Sequence, residues 1–226
     1  MSLLDVNANM TVLRTTDIFY TLSPAQQEMQ QGTSDMVKFV NLSDTVQVQK
    51  ADSLPETSRM RIQAQLNISN GVQATVNLSD NGSNKVQLQP SGSLYFFQNF
   101  MGDMKLTGKL NLGSGFARYA IPVIGERSFD IDPSSYVNWT GVLLNPTLNL
   151  LATDNIKSAV QQSDNGRSRL VDFLISVSVS NNLEHPKVLF DLSTDDDITI
   201  QNELSSMSSD QRSMQAMNML LYGRYT

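Results

Sequence analysis

The chain has 226 residues, which suits one large β domain, and we take residues 1–226 as a single domain. Charged residues make up only 17% of the chain, below the usual share of about a quarter, and Asn, Gln, Ser and Thr take their place. Such residues suit the solvent side of a sheet, where they bond laterally without repulsion. The net charge of -6, without any Lys/Arg cluster, excludes nucleic acid as an expected partner. The lack of cysteine excludes disulfides, thiol catalysis and cysteine metal sites.

The clearest strand signal is the strict alternation of apolar and polar residues from Met60 to Ser69, which predicts a half-buried strand. The alternation continues from Val72 to Leu78, and the Asp-Asn-Gly run at residues 80–82 predicts a hairpin turn. A further strand is expected at residues 86–88. Because Pro90 cannot donate to a strand ladder, we expect this strand to lie at an edge or to be bulged there.

More segments downstream show the same period-two pattern, and turn residues between them are typical of an antiparallel meander. These predicted strands are 106–112, 116–123, 148–152, 171–179 and 188–192. Another strand, Tyr136 to Gly141, carries Trp139, the only tryptophan, whose ring is expected on the apolar side. Truncation of that ring to alanine is then expected to cost roughly 3 to 5 kcal/mol.

The first part of the chain is less regular. Residues 10–22 and 36–49 contain apolar and β-branched residues that favour strands, and the Gln-rich residues 23–35 between them are interpreted as a helical turn or loop.

The tail of the chain predicts a short amphipathic helix. Met214, Met217 and Leu221 recur at helical spacing after Ser209 or Asp210, either of which suits the N-cap. The preceding aspartates at residues 195–197 are interpreted as a solvated acidic turn, the alternative being the start of another helical segment. They are too few to supply the oxygen ligands of a calcium site.

Candidate catalytic residues are few. His185, the only histidine, lies at the turn into a strand and has no nucleophile elbow to accompany it. The Gly-Ser-Gly run at residues 113–115 lacks the Gly and Lys that complete a phosphate-binding loop. Acid-rich turns and alternating strand positions explain the carboxylate pairs, which are Asp130 with Asp132 and Asp195 with Asp197. These residues favour a protein that is not an enzyme and has no metal or cofactor.

The apolar side of each predicted strand needs a cover, because a sheet face must be buried against something. Two arrangements supply one. A two-sheet sandwich or a closed barrel covers the face with itself, and composition alone favours this arrangement. A folded-over sheet instead leaves an apolar groove open for a ligand.

Several segments carry a family resemblance. They are KLTGKLNLGSGFARYAIP at residues 105–122, FDIDPSSYVNWTG at 129–141, NPTLNLLATDNIK at 145–157, and HPKVLFDLSTDDDITIQNELSSMSSDQRSMQAMNMLLYG at 185–223. They contain four features in a fixed order: a glycine-containing strand, an x-W-x-G motif, a P-x-L-x-L-x-A motif, and a P-x-V-x-F strand before a helical tail. In this order they resemble the C-terminal domain of the TamB family of Bacteroides-like Gram-negative bacteria. The resemblance is closest over residues 60–226.

The resemblance implies an all-β fold of antiparallel strands in a folded-over, taco-like sheet with an apolar groove and a short C-terminal helix. It implies a periplasmic segment of a protein anchored in the inner membrane, although no anchor or signal segment is seen at this N-terminus, so we expect a fragment. The groove would carry phospholipid acyl chains towards the outer membrane. The groove residues expected from the strand pattern are Met60, Ile62, Leu66, Ile68, Val76, Leu88, Leu106, Leu110, Leu150, Phe173, Ile175, Val177 and Phe190.

A second function of a different class stays open. The family resemblance also implies contact with a TamA-like outer-membrane barrel of the insertase type, through its POTRA modules. In that role the domain would be an assembly module that docks by lending an edge strand, since backbone bonding supplies the affinity in such contacts.

Overall fold

The computed structural model describes residues 3–21, 60–79, 81–121, 125–162 and 167–225. The predictions for residues 23–35 and 36–49, and for Asp80 of the hairpin turn, lie outside these residues.

Strands dominate the described residues, and they are numbered here in chain order. They are β1 Leu4–Val12, β2 Asp17–Thr21, β3 Met60–Ile68, β4 Gln73–Asn77, β5 Lys85–Leu88, β6 Ser91–Gln98, β7 Met104–Asn111, β8 Gly115–Ile121, β9 Gly125–Ile131, β10 Tyr136–Gly141, β11 Thr147–Gln162, β12 Arg167–Asn182 and β13 Lys187–Ser193. Two helices follow, α1 Ile198–Ser206 and α2 Ser209–Tyr222. The all-β prediction is confirmed, and two short C-terminal helices stand where one was predicted.

All of these strands belong to one sheet that branches at β11. β12 pairs with one edge of β11 along its whole length, and β13 pairs with β12. The other edge of β11 is shared, because β10 pairs with residues 147–149 and β9 with residues 152–153. From β10 the order runs β7, β6, β3, β1, which we call the first wing. From β9 it runs β8, β5, β4, β2, which we call the second wing.

The two wings are halves of the same long strands, interrupted at a common level that we call the crease. The interruptions fall at residues 13–16, 69–72, 89–90, 112–114 and 132–135. The sheet therefore folds over along one line and is not closed, as the taco-like prediction requires. Neither a second sheet nor a closed barrel covers its apolar side within the described residues, so the arrangement that composition alone favours is wrong.

Backbone bonds continue across the crease, so the break costs the sheet few ladder partners. The Gln89 amide donates to the Leu112 carbonyl at 3.1 Å, and the Leu112 amide donates to the Ser135 carbonyl at 2.9 Å. Ser135 is buried, and its hydroxyl accepts from the Leu151 amide at 2.9 Å. Asp132 closes the adjoining turn by accepting from the Ser134 amide at 2.8 Å. Hydrogen bonds from Ser134 hold the pKa of the Asp132 carboxyl below its usual value.

Three strand predictions need correction. β5 lies between β4 and β8, so the expected edge position is wrong, and Pro90 instead falls in the crease where no ladder donor is needed. β6 and β9 were not predicted. The pairing is also not wholly antiparallel, because β1 runs parallel to β3 and β2 runs parallel to β4.

The helices cover one end of the sheet and build the main core with it. Asp197 caps α1 by accepting from the Thr199 amide at 2.9 Å, and Arg169 binds its carboxylate at 3.2 Å. The last residue of the aspartate run thus starts a helix. The interpretation as a solvated turn is wrong for Asp197, whereas Asp195 and Asp196 are exposed in a bend. Strand and helix residues share the buried cluster, which comprises Ile156, Val171, Phe173, Ile175, Leu192, Ile200, Leu204, Ala216, Met219 and Leu220.

The predicted apolar side of α2 is also corrected. The N-cap is Ser208, whose hydroxyl accepts from the Gln211 amide within a capping box. Met214 is 62% exposed, whereas Met219 is fully buried. The stretch from residue 214 to 221 carries two apolar stripes at helical spacing, and only contact with the sheet decides which one is buried.

Candidate functional site

The strand register builds one apolar face across the whole sheet. Residues paired across neighbouring strands project on the same side. In the first wing one such row runs Met10, Leu66, Leu94, Gly108, Trp139. In the second wing a longer row runs Ile18, Ala74, Leu88, Gly115, Ile131, Ala152, Val177, Phe190. We call the side that carries these rows the apolar face.

All of the expected groove residues lie on the apolar face. The register places there Met60, Ile62, Leu66 and Ile68 of β3, Val76, Leu88, Leu106 and Leu110 of β4, β5 and β7, and Leu150, Phe173, Ile175, Val177 and Phe190 of β11, β12 and β13. That these residues contact acyl chains remains a proposal.

Burial along β12 divides the apolar face into a covered and an open part. Phe173 and Ile175 are 0% exposed because the helices pack on them, and the Tyr225 ring stacks on Phe173 with 5.1 Å between centroids. Two residues further on, Val177 is only half-buried, as are Leu150 and most other apolar residues of this face. Phe173 and Ile175 are therefore occupied by the protein itself, and the open part begins beyond them.

The C-terminal tail helps to close the covered part. The buried Ser158 hydroxyl accepts from the Tyr225 amide at 3.0 Å and lies 3.4 Å from the Gly223 carbonyl, to which it donates. Burial, with Glu203 nearby, raises the pKa of Tyr225 to about 12.

Sequence reasoning missed several residues of the apolar face. Leu94 and Phe96 of β6 belong to it, but Tyr95 and Phe97, which alternate with them and project on the opposite face, are large aromatic residues, so no alternation marks the strand. Phe129 and Ile131 of β9 alternate with charged residues, and the family motif at residues 129–141 was the only signal there. Trp139 was correctly placed on the apolar face with Val137.

The opposite face is polar and bonded laterally, as its composition predicts. The Asn67 side-chain amide donates to Asn9 Oδ1 at 3.2 Å, and its own Oδ1 accepts from Gln65 at 3.0 Å and Ser93 at 2.8 Å. A shallow depression of about 510 Å³ lies among these amides, beside Tyr95. Two of its lining amides, Asn9 and Gln65, are held by hydrogen bonds to Asn67.

Residues considered for catalysis lie on different elements of the fold. His185 is in an exposed turn, where its backbone amide donates to Asn182 Oδ1 at 3.0 Å. Asp130 projects on the polar face, and Asp197 caps α1. Within the described ranges, no group of three or more His, Cys, Asp or Glu side chains could hold a metal ion.

These features define the class of the protein: an all-β domain with one folded-over, unclosed sheet, an apolar face along all of its strands, and helices over one end. The family model of the TamB C-terminal domain matches residues 2–226, and the chain belongs to this family. The match includes the first sixty residues, where the sequence resemblance was weak. No curated protein matches the chain.

Membership of the family gives the chain a coarse role. TamB proteins belong to the translocation and assembly module of the cell envelope and act in outer-membrane biogenesis together with an outer-membrane partner. The family is one of transport and assembly and not a known enzyme family. Neither described helix is long and apolar enough to cross a membrane.

Proposed function

We propose that the open part of the apolar face carries phospholipid acyl chains, as the periplasmic segment of a bridge that is anchored in the inner membrane and leads towards the outer membrane. One observation supports this most: the apolar face runs through every described strand. Outside the helix-covered end its residues are mostly half-buried, and no second layer formed by the described residues packs against them. Apolar surface left in water costs about 25 cal/mol per Å². An apolar occupant would remove that cost.

The proposed mechanism is partitioning, not reaction. Leu66, Leu94 and Leu110 offer hydrocarbon on neighbouring strands without a hydrogen-bonding group that would hold a chain at one place. Acyl chains would therefore bind by burial alone and remain free to slide. No catalytic step is assigned to the domain.

The test uses Trp139, the only tryptophan, as a reporter on the apolar face. Delipidated protein is mixed with phospholipid whose acyl chains carry bromine, a contact quencher of indole fluorescence. We expect strong quenching. The matched control combines Trp139→Phe with Tyr95→Trp, which moves the indole to the polar face, where Tyr95 is 53% exposed. We call this proposed acyl-chain route the conduit. Equal quenching at both positions, or quenching at neither, would contradict it.

A second function is supported by the free edges of the wings. Within the described residues β1 has a strand neighbour only in β3, and β2 only in β4, so the outer backbone groups of both strands could pair with another strand. The partner would be the POTRA modules of a TamA-like outer-membrane barrel.

Proline scanning separates this docking from the conduit. Ala8→Pro and Asn9→Pro remove adjacent backbone donors of β1, and in a parallel pair only one of them points towards β3. The variant that loses the outward donor should keep its fold and lose the barrel partner in a pull-down. If both folded variants still bind the partner, edge-strand docking by β1 is wrong.

A further inference from the structure

Charged side chains are nearly absent from the apolar face. Among the described strand residues that the register places there, the charged ones are Arg127, Asp154, Arg167 and Arg169. Arg169 is neutralised by the start of α1, since it contacts Asp197 at 3.2 Å and donates to the Asp196 carbonyl at 2.8 Å. Arg127 and Asp154, on the neighbouring strands β9 and β11, have no such contact with a helix in the described part of the chain.

The Asp154 carboxylate has a hydrogen bond with the Asn155 backbone, but in the described part of the chain it makes no direct contact with Arg127. Asp154 Oδ2 is buried without a hydrogen bond, and neither side chain forms an ion pair in the described part of the chain. They are nevertheless close enough to interact, because the Arg127 charge lowers the pKa of Asp154 while burial, the larger effect, raises it. A carboxylate and a guanidinium that served only packing would be expected to close into a bidentate pair. Both side chains lie on the same face of neighbouring strands, β9 and β11, so one ligand could contact both of them.

The position of Asp154 is the second observation. Its cross-strand partner Ile175 and its neighbour Ile156 are buried under the helices. On its other side Ala152 and its partner Val177 are half-buried and belong to the open part of the apolar face. Asp154 therefore lies at the boundary where the open hydrocarbon surface ends against the helices.

We propose that Arg127 and Asp154 form a headgroup site for a zwitterionic phospholipid with a primary amine, of the phosphatidylethanolamine class. The inference rests on the proposed conduit. The Arg127 guanidinium would bind the phosphate in a bidentate manner, and the Asp154 carboxylate would bind the ammonium group. The acyl chains would lie on the open part of the apolar face, along Ala152 and Ile131. The headgroup would thus stop the lipid at the helix-covered end.

The two charges make different predictions for different headgroups. A phosphatidylglycerol of equal chain length has the phosphate but no ammonium group, so it can use Arg127 but not Asp154. The site should therefore prefer the amine lipid, and Asp154 alone should carry that preference.

The test measures dissociation constants of the whole chain for two short-chain lipids, phosphatidylethanolamine and phosphatidylglycerol with identical acyl chains, by native mass spectrometry. Wild type should bind the amine lipid about tenfold more tightly. Asp154→Asn should abolish this preference by weakening only the amine lipid, and Arg127→Gln should weaken both by about tenfold. The matched controls are Arg118→Gln and Glu126→Gln, which remove an ion pair of 2.7 Å on the polar face of β8 and β9 and should change neither constant.

The possible failures are distinguishable. If both lipids bind with equal affinity, or if the two variants bind like wild type while still folded, the headgroup site is wrong and the conduit stands. If neither lipid binds, the conduit is wrong and the headgroup site with it. Phosphoethanolamine without acyl chains is the third ligand, and binding as tight as that of the lipid would identify a small-molecule site and overturn the lipid assignment.

Discussion

Asp154 is a half-buried carboxylate on an apolar face, and the sign of its effect on folding stability depends on whether it is protonated. Burial raises the pKa of Asp154, so folding favours the protonated acid. The stabilising contribution of protonated Asp154 to the free energy of unfolding is fully present below the pKa of the unfolded chain, about 3.9. It is lost as the pH rises through the raised pKa of the folded protein. At neutral pH the ionised group therefore destabilises the fold, with Arg127 opposing and Asp130 adding to this effect.

We expect Asp154→Asn to raise the free energy of unfolding at pH 7. The gain should be less than about 1 kcal/mol, because solvent screens a half-exposed group. In denaturant titrations the variant and wild type should converge as the pH falls below about 3.9. A variant that is less stable than wild type at pH 7 would show that the carboxylate has a structural partner.

Trp139 is the second residue for which a stability cost is predicted, and the structure gives a smaller cost than the sequence did. The ring lies on the apolar face but is only half-buried, and its Nε1–H donates to the Leu143 carbonyl at 3.0 Å. Trp139→Ala should therefore cost about 1 to 3 kcal/mol, from partial burial and one hydrogen bond, and not the roughly 3 to 5 kcal/mol of a fully buried ring. The denaturation midpoint measures this cost. An unchanged midpoint would show that the ring contributes nothing to the fold.

Among the elements, the crease depends on Gly113. Its φ of +65° is left-handed, and a Cβ there would overlap the backbone carbonyl oxygen of Gln89. Gly82 has nearly the same φ, +67°, with nothing within 4 Å of an added Cβ, so it is a matched control. In both variants the alanine must adopt a left-handed backbone conformation, which destabilises the fold by about 1–2 kcal/mol. Gly113→Ala should cost about 1–3 kcal/mol more, because a backbone must move. Equal costs for the two variants would show that the crease is not tightly packed there.

The helix α2 gives the next element-scale prediction. Met219→Ala removes a fully buried side chain from the cluster that covers Phe173, so it should cost about 2–5 kcal/mol. Met214→Ala, at a position 62% exposed on the same helix, should change stability by no more than about 0.5 kcal/mol. Chemical denaturation of the two variants decides which stripe faces the sheet, and a larger loss for Met214→Ala would reverse the assignment.

Sequence reasoning succeeded for elements whose own pattern specifies them. β3 alternates strictly, so its strand state and its apolar side were both readable from residues 60–68. It failed for β6, where aromatic side chains occupy both faces, and for the stripe of α2, where either side could be buried. Cross-strand contacts decide that β6 is a strand, and helix–sheet contacts decide which stripe of α2 is buried. Neither kind of contact can be read from a single sequence.

The candidate site was likewise predictable from the sequence only in part. Alternation placed every expected groove residue on one face, because period two is local information. It could not show that Phe173 and Ile175 are covered by the helices while Val177 two residues away is open. Nor could it single out Asp154, whose polar character on an apolar face is visible only when β11 is paired with β12.

For the whole molecule, a conduit requires that the two faces of one strand differ in function. Leu66 and Gln63 both lie on β3, Leu66 on the apolar face opposite Leu94 and Gln63 exposed on the polar face. Leu66→Glu puts a carboxylate where hydrocarbon should pass, and that group must either stay ionised at a high desolvation cost or bind a proton. Gln63→Glu adds the same group where water already solvates it.

We therefore expect Leu66→Glu to interrupt lipid transport in cells that carry the full-length protein, and Gln63→Glu to leave it intact. Photo-crosslinking groups at the same two positions should give phospholipid adducts from position 66 only, because an acyl chain on the apolar face cannot reach the opposite side of the sheet. Folding of each variant is checked by circular dichroism of the isolated domain. Adducts from both positions alike, or from neither in a folded and functional protein, would remove the conduit and leave edge-strand docking as the better account. Loss of transport with both carboxylates would point instead to a surface needed for assembly, since only such a surface makes a solvated charge on β3 harmful.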